Sequence, residues 1–408
     1  MAETGPYLLR EVLESKGWVP FVEGETPYWN LSWKGSRYRK SEYEQCQPFQ
    51  RLNHFPNTAI ITRKVSDHGL DSLFRLLRTL KGIYGSVYDY FPLTFTVPGE
   101  FIRFVRLYAE EENNGNKSIW ICKPADLSRG RGIFVFRELH ELTYDCNAVV
   151  QRYIPNPLLI SGYKFDMRCY VLVRSYQPLT VYLYEDGLAR FATSRYDTST
   201  LKNKFSHLTN TSINKFSPTL DANKDDVGPG CKWQFSRLRA YFEQRNLDFH
   251  KVWEKIKGMV ILTFLPIAHQ ITVHSEGCFE LYGFDILIDE SMKAWLLEVN
   301  LSPALSVDAQ IDILVKKPLL EDIISLVGIS EEDASKALKH AQASEHCSTR
   351  QPTAEDAGYP FPSSVGKFTR VFPVPSLAKY AGRHELPRVG EPLMKQVVTD
   401  IKKIYFTH

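Results

Sequence analysis

An α+β fold is what this chain predicts, on three observations. Segments of helical period occur in both halves, short alternating apolar runs fill Ser118–Leu183, and two further strand-like runs close around residues 279–300. At 408 residues the chain is too long for one small core, so two or three domains are expected. Its content of 43% apolar and 24% charged residues is that of a globular protein, and a net charge of +3 gives no argument for nucleic acid. The basic clusters Lys34, Arg37, Arg39, Lys40 and Arg75, Arg78, Lys81 read as solvated faces that together could attract an acidic partner. Seven scattered cysteines without a CxxC pair, and the absence of HExxH, indicate neither a disulfide frame nor a zinc site. The charged N-terminal run is no signal peptide. The most apolar stretch, Met259–Val273, is broken by Pro266, His269 and Gln270 and is too short for a bilayer, so no membrane partner is expected and the cytosol is the expected compartment.

Taken in order, residues 1–57 are rich in aromatics, with Trp18, Trp29 and Trp33, and read as a small N-terminal α/β domain. Helices are predicted over Leu70–Lys81 and, after the Pro98–Gly99 stop, over Glu100–Glu112. Ser118–Lys123 reads as a strand and residues 217–230 as a loop. Cys231–Gln244, Phe249–His269 and Lys316–Val327 read as helices. From about Ile329 to Phe361 the chain has little that could form a core, so residues 329–366 read as a flexible linker. In the tail, 367–408, the segment Glu391–Tyr405 places Leu393, Val397, Ile401 and Ile404 on one helical stripe with lysines elsewhere. A helix docked back on the body is the plain reading, and a basic partner-binding helix the alternative.

Chemistry begins with the acidic strands. Phe279–Asp289 and Ala294–Asn300 flank the turn-like run Glu290–Lys293, and a hairpin centred near Ser291–Met292 sets Asp285 opposite Glu298. Side chains alternate along a strand, so Glu298 and Asn300 share one face about 7 Å apart. Two carboxylates and an amide oxygen aimed at one point suit Mg²⁺ shared with nucleotide phosphates; plain solvated carboxylates are the alternative.

Upstream, the strand ending in Lys123 runs into PADLSRGRGIFVF, with Gly130 and Gly132 between two strands. This is neither a Walker loop nor a Rossmann turn. It is an ordinary hairpin loop or one that folds over phosphates, since backbone N–H groups approach closely where Cβ is absent, with Arg129 and Arg131 as further donors. Val149–Ile154 reads as a strand beside which an adenine could stack. In Lys164-Phe165-Asp166-Met167-Arg168, alternation puts Lys164, Asp166 and Arg168 on one face and Phe165 and Met167 on the other. Three same-face charges beside YVLV are costly unless they meet a ligand; a surface ion-pair ladder is the alternative. Arg190, single among apolar neighbours, suits a bidentate grip on a carboxylate. The polar run His207–Lys215 reads as side-chain-to-backbone turns or as part of a site.

In this order the motifs WICKPADLSRGRGI, QRYI, KFDMRCYVLV, GLARF, HLTNTSINK and FELYGFDILID…WLLEVNLSP closely resemble the tubulin tyrosine ligase-like family of the ATP-grasp superfamily, over roughly residues 50–325. The resemblance implies two α+β subdomains sandwiching ATP, at 58–160 and 161–328, the second bearing the metal hairpin. It implies that Lys123, with Arg129 and Gly130 above it, holds the phosphates. Gln151, Arg152, Tyr153 and Ile154 would line the adenine pocket, largely through backbone. Lys164, Phe165 and Asp166 would meet phosphate and ribose, and Thr209 and Asn210 would touch ATP. Arg168 would meet the reacting phosphoryl group, so that Arg168, Glu298 and Lys164 form the catalytic set. Arg129, Arg190, Thr211, Lys232 and Lys316 would bind the amino-acid substrate, and Asp285, Glu298 and Asn300 would ligate Mg²⁺.

The activity implied is ATP- and Mg²⁺-dependent ligation. Transfer of the γ-phosphoryl group would make an acyl phosphate on a γ-carboxylate in an acidic C-terminal tail of tubulin. The α-amine of free L-glutamate would then attack it, forming an isopeptide bond. Such chemistry needs positioning and charge neutralisation rather than a nucleophilic side chain, and no Ser-His-Asp or Cys-His set is visible. The resemblance thus implies a monomeric enzyme of the cytoplasm and microtubule cytoskeleton, cilia included, with tubulin tails and free glutamate as partners. A glycine or tyrosine ligase of the same fold, and a catalytically silent microtubule-binding adaptor, are the alternatives. A protein kinase does not fit, as no HRD or DFG set occurs.

Overall fold

Apolar residues on both faces of two long strands decide the architecture. Tyr163–Tyr176 and Leu179–Phe191 are buried at nearly every position, so they must lie at the centre of a sheet covered on both sides. The computed structural model describes residues 6–23, 28–62, 72–124, 132–142, 147–222, 224–271, 277–329, 361–377, 380 and 387–406. Its elements run α1 (Tyr7–Ser15), β1 (Leu31–Ser32), α2 (Lys40–Glu44), β2 (Arg51–Leu52), α3 (Ser72–Tyr84), β3 (Thr94–Val97), α4 (Phe101–Asn113), β4 (Trp120–Pro124), β5 (Phe134–Phe136), β6 (Ala148–Arg152), β7 (Leu159–Ile160), β8 (Tyr163–Tyr176), β9 (Leu179–Phe191), α5 (Lys204–His207), α6 (Thr211–Asn214), β10 (Lys232–Gln234), α7 (Phe235–Gln244), α8 (Phe249–Phe264), β11 (Glu280–Ile288), β12 (Ala294–Leu301), α9 (Gln310–Val327), β13 (Ser364–Val365), β14 (Phe368–Phe372) and α10 (Pro392–Tyr405).

A large antiparallel sheet has the order β12-β11-β8-β9-β14-β13, with β7 on β8 and β10 on β9; a smaller one has the order β3-β6-β4-β5. One face of the large sheet, with Met167, Cys169 and Val171, packs on α8 and α10 through Ile256, Val260, Val397 and Ile401. The other face carries Tyr170, Leu172, Tyr182 and Tyr184 under α9 and α1, whose Leu319, Ile323, Leu9 and Val12 close that core. The small sheet has a core of its own, in which Phe95, Trp120, Phe136 and Val150 meet Phe104 of α4. The even-numbered face of β8 is therefore divided. Its middle carries Tyr170 and Leu172 in the apolar core, and its near end presents Lys164, Asp166 and Arg168.

Several boundaries differ from expectation for identifiable reasons. Residues 232–234 are a strand, not the start of a helix: Lys232↔Arg190 and Trp233↔Ala189 pair across β10 and β9, burying Trp233. Helix α8 ends at Phe264, just before Pro266, and His269 falls in a separate short turn. Helix α9 begins at Gln310 rather than Lys316, because Asp312 Oδ2 accepts from the Asp308 and Ala309 N–H groups and caps the start. Pro318 sits inside that helix, and the bond it forgoes falls at Leu314, on the exposed side. The expected linker lies mostly at 330–360, outside the described residues. Beyond it β14 adds to the large sheet, with Phe368↔Tyr184 and Arg370↔Tyr182, and Lys367 Nζ reaches Asp186 at 2.8 Å.

The terminal helix does dock on the body. α10 buries Met394, Val397, Val398, Ile401 and Tyr405. It lies so close to α8 that a Cβ on Gly258 would stand 2.5 Å from the Phe406 ring and 2.8 Å from Tyr405 Cβ. Gly258→Ala therefore overpacks this contact and is expected to cost about 1–3 kcal/mol. Urea unfolding checks it, and an unchanged midpoint would show that α10 is not held there.

Candidate active site

The two sheets face one another across a cleft with about 700 Å³ of empty space open to solvent. The small sheet supplies Lys123 and Gln151. Lys123 Nζ donates to Gln151 Oε1 (2.8 Å), whose amide donates to Thr94 Oγ1 (2.9 Å). Tyr153 and Ile154 continue this wall. The head group of Arg152 is committed elsewhere, over the Trp120 ring at 5.2 Å and paired with Glu111. The large sheet supplies Lys164, Asp166, Asp285 and Glu298. Thr209 and Asn210 enter between α5 and α6, and Leu287 and Leu297 form an apolar floor.

Register explains how the charges meet. Asp166 lies directly opposite Arg190, and Arg168 opposite Asp285, so β8 stands between two partners of opposite sign. Arg190 grips Asp166 with Nε (2.7 Å) and Nη2 (2.6 Å), and the same Nη2 lies 2.9 Å from Asp285 Oδ2. Arg168 grips Asp285 with Nε (2.5 Å) and Nη2 (3.0 Å), while Thr209 Oγ1 donates to Asp166 Oδ2 (2.6 Å). Gly283 leaves the room this needs: a Cβ there would lie 3.1 Å from Arg168 Cδ. Burial alone would push the Asp285 carboxyl up, but Arg168 and Arg190 outweigh it and hold the group well below the usual carboxylate range. Arg190 is held above its ordinary value by Asp166 and Asp285 against the opposing effect of burial.

The acidic hairpin forms with Asp285 paired to Glu298 and Gly283 to Asn300. Asn300 Nδ2 lies 3.0 Å from Glu298 Oε1 and 3.4 Å from Asp285 Oδ2. Among the described residues no group of three His, Cys, Asp or Glu side chains stands ready for a metal. The donor set here is two carboxylates and one amide, and turning the Asn300 amide would bring its oxygen to the same point. Hard oxygen donors of this kind fit Mg²⁺, although Asp285 already shares its charge with two guanidiniums.

Lys164 is buried, with Nζ donating to the Tyr153 hydroxyl at 2.8 Å. Burial lowers its pKa to about 7, with Asp166 opposing and Lys123 assisting. The folded value lies below the unfolded 10.5, so the unfolded chain binds more protons in that interval. The lysine thus costs stability at pH 7, a cost relieved as pH rises. Lys164→Met is expected to raise the unfolding temperature of the nucleotide-free protein at pH 7 by roughly 2–4 °C and to abolish stabilisation by Mg-ATP. A lower unfolding temperature with the ATP effect intact would rule this out.

Some expected residues lie apart from this cleft. Phe165 turns into the main core, 5.6 Å from the Phe191 ring, and does not line the cleft. Thr211, the first residue of α6, is half-buried outside the lining. Arg129 and Gly130 lie outside the described residues. Lys232 and Lys316 do come together: both reach the fully buried Asp312, at 2.8 and 2.9 Å, and Lys232 is the strand neighbour of Arg190. Sequence reasoning missed Asp312. Its spacing of four from Lys316 is the signal that an earlier helix start would have revealed. It also missed His207, which lines the cleft behind Tyr153.

Two α+β bodies closing on a cleft with cations on both walls and paired carboxylates on one define the ATP-grasp class of fold. The family model described as the tubulin-tyrosine ligase family matches residues 41–336, well over half of the chain, and the chain belongs to that family. It is 46% identical over 330 residues to the human "Probable tubulin polyglutamylase TTLL2", covering 80% of this chain and 55% of that protein. The mouse counterpart is 45% identical over 330 residues, covering 80% and 60%. To human "Tubulin monoglutamylase TTLL4" it is 35% identical over 337 residues, covering 80% and 27%. The chain thus spans little more than half the length of its TTLL2 relatives. Among the described residues no helix is long and apolar enough to cross a membrane.

Proposed function

We propose that this chain is an ATP- and Mg²⁺-dependent glutamate ligase acting on glutamate γ-carboxyls in the acidic C-terminal tails of tubulin. The observation that carries the reading is the cross-strand array Arg190–Asp166 and Arg168–Asp285, placed with Glu298 and Lys164 on the large-sheet wall of the cleft, whose other wall carries Lys123. Phosphoryl transfer needs this kind of preorganised charge and no nucleophilic side chain.

In this reading Lys123 and Lys164 hold the triphosphate of ATP from opposite walls, and Leu287 and Leu297 lie under the adenine. Asp166 and Thr209, already hydrogen-bonded to each other, meet the ribose, with Asn210 alongside. Asp285, Glu298 and Asn300 would hold Mg²⁺, which when bound neutralises phosphate oxygens. Arg168 stabilises charge on the phosphoryl group as it moves to the tail carboxylate, giving an acyl phosphate. Arg190 binds the carboxylate of the incoming amino acid: its Nη1 has no protein partner among the described residues, while Nε and Nη2 are held. Lys232, Lys316 and Thr211 extend that side, and Arg129 and Gly130 would close over the phosphates. The amine of free L-glutamate then displaces phosphate. We assign the protein to the cytoplasmic microtubule cytoskeleton, cilia included, as a monomer.

Incubation of the protein with tubulin, ATP and each of labelled glutamate, glycine and tyrosine decides the donor. Mass spectrometry of the tails is expected to show glutamate alone. Glycine or tyrosine on the tails would reassign the donor. No transfer and no ATP consumption, with microtubule co-sedimentation, would replace the enzyme by an adaptor.

A further inference from the structure

Behind Lys164 lies a chain of hydrogen bonds whose direction chemistry fixes. His207 Nε2 is 2.9 Å from the carbonyl oxygen of Thr200. A carbonyl only accepts, so Nε2 carries a proton. In the neutral ring Nδ1 is then a bare acceptor, and the Tyr153 hydroxyl, 3.0 Å away, donates to it. With its proton committed there, the Tyr153 oxygen offers only lone pairs, into which Lys164 Nζ donates at 2.8 Å. His207, Tyr153 and Lys164 are 1%, 4% and 6% exposed, so water does not compete for these bonds.

The geometry points to His207 as a positioning residue: acting through Tyr153, its neutral Nε2–H ring fixes Lys164 in the cleft. A ring protonated at both nitrogens would donate from Nδ1, turn the Tyr153 hydroxyl hydrogen away and set a second cation behind Lys164. The groups around the ring favour the neutral form. Lys164 on β8 opposes another positive charge; the Tyr153 and Tyr196 rings stand nearly perpendicular to the imidazole at 5.6 and 5.7 Å, and the Tyr196 hydroxyl, which also neighbours that of Tyr153, donates to Pro155 O at 2.7 Å. Burial is the largest effect and lowers the ring's pKa; the Thr200 carbonyl that accepts from Nε2, and Asp197, pull the other way and are outweighed. This inference rests on the reading of Lys164 as a nucleotide contact.

Two measurements test it. In protein with ¹⁵N-labelled histidine, the His207 resonances, assigned by their loss in His207→Asn, are expected to report the Nε2–H tautomer at neutral pH. The Nδ1 signal should move in Tyr153→Phe. An Nδ1–H tautomer, a doubly protonated ring or an unmoved signal overturns the relay. Calorimetric titration with Mg-ATP supplies the second readout. His207→Phe and Tyr153→Phe are each expected to weaken binding about tenfold, the double variant no further, and His207→Asn, whose Oδ1 takes the place of Nδ1, by less than about twofold. Undiminished binding in His207→Phe, additive losses, or a His207→Asn loss as large as that of His207→Phe overturns it. Should the wild-type protein bind no ATP, the reading of Lys164 falls, while the nitrogen resonances still uphold or overturn the relay.

Discussion

Glu298→Gln is expected to lower ATP-dependent glutamate incorporation into tubulin by a factor of about 10²–10³ or more, with no loss of stability. The substitution keeps shape and hydrogen-bonding capacity while removing one negative charge from the point where β11 and β12 meet. Glu298 is only half-buried, its amide neighbour Asn300 can bond to Gln equally well, and it stands beside the Asp285 carboxylate. The Gln amide can donate a hydrogen bond to that carboxylate, so the folded state stays as stable as before, or more so. Activity within tenfold of wild type would remove Glu298 from the metal set. A large fall in unfolding temperature would mean the side chain is structural.

Asp285→Asn is expected to behave in the opposite way, destabilising the fold by about 3–5 kcal/mol as well as stopping catalysis. Arg168 is left without its carboxylate, and Arg190 keeps only Asp166. Uncompensated buried guanidinium groups cannot shed their protons, so the cost falls on folding. The pH dependence has a definite sign. Asp285 is held below its unfolded value by the two arginines, so its contribution is fully present above the ordinary carboxylate range and fades as pH falls toward the depressed value. The difference between wild type and variant, measured by denaturant unfolding, is therefore large at pH 7 and shrinks in strong acid. A difference that is small, or constant with pH, would show that the pairs contribute little.

The contrast between these neighbours shows what could be read in advance. The alternation in Lys164–Arg168 and the pairing of Asp285 with Glu298 were legible because strand period and a short turn fix them locally. The commitment of Arg190 to Asp166 was not. It depends on the register of β8 against β9, which shifts between Cys169 and Val171 and again between Val173 and Ser175. Asp312 was hidden because the sequence reads as a helix only from Lys316, six residues after α9 begins at Gln310. β10 was hidden because Trp233 fits a helical stripe as well as a strand, and only its partner β9 decides. His207 stood in view within a polar run, yet its role depends on Tyr153, which is 54 positions away. Local period reveals elements; long-range register reveals which charges meet.

The strand β14 has a practical consequence. It pairs with Val181–Tyr184 of β9, yet it lies well past residue 336, where the family match stops. A fragment trimmed to that match would bare a row of main-chain donors and acceptors along β9 and uncover the aromatic rings that Phe368 caps. What similarity delimits and what folds as a unit are therefore different lengths of chain, and the folded body of this protein borrows its last stave from beyond the recognised border.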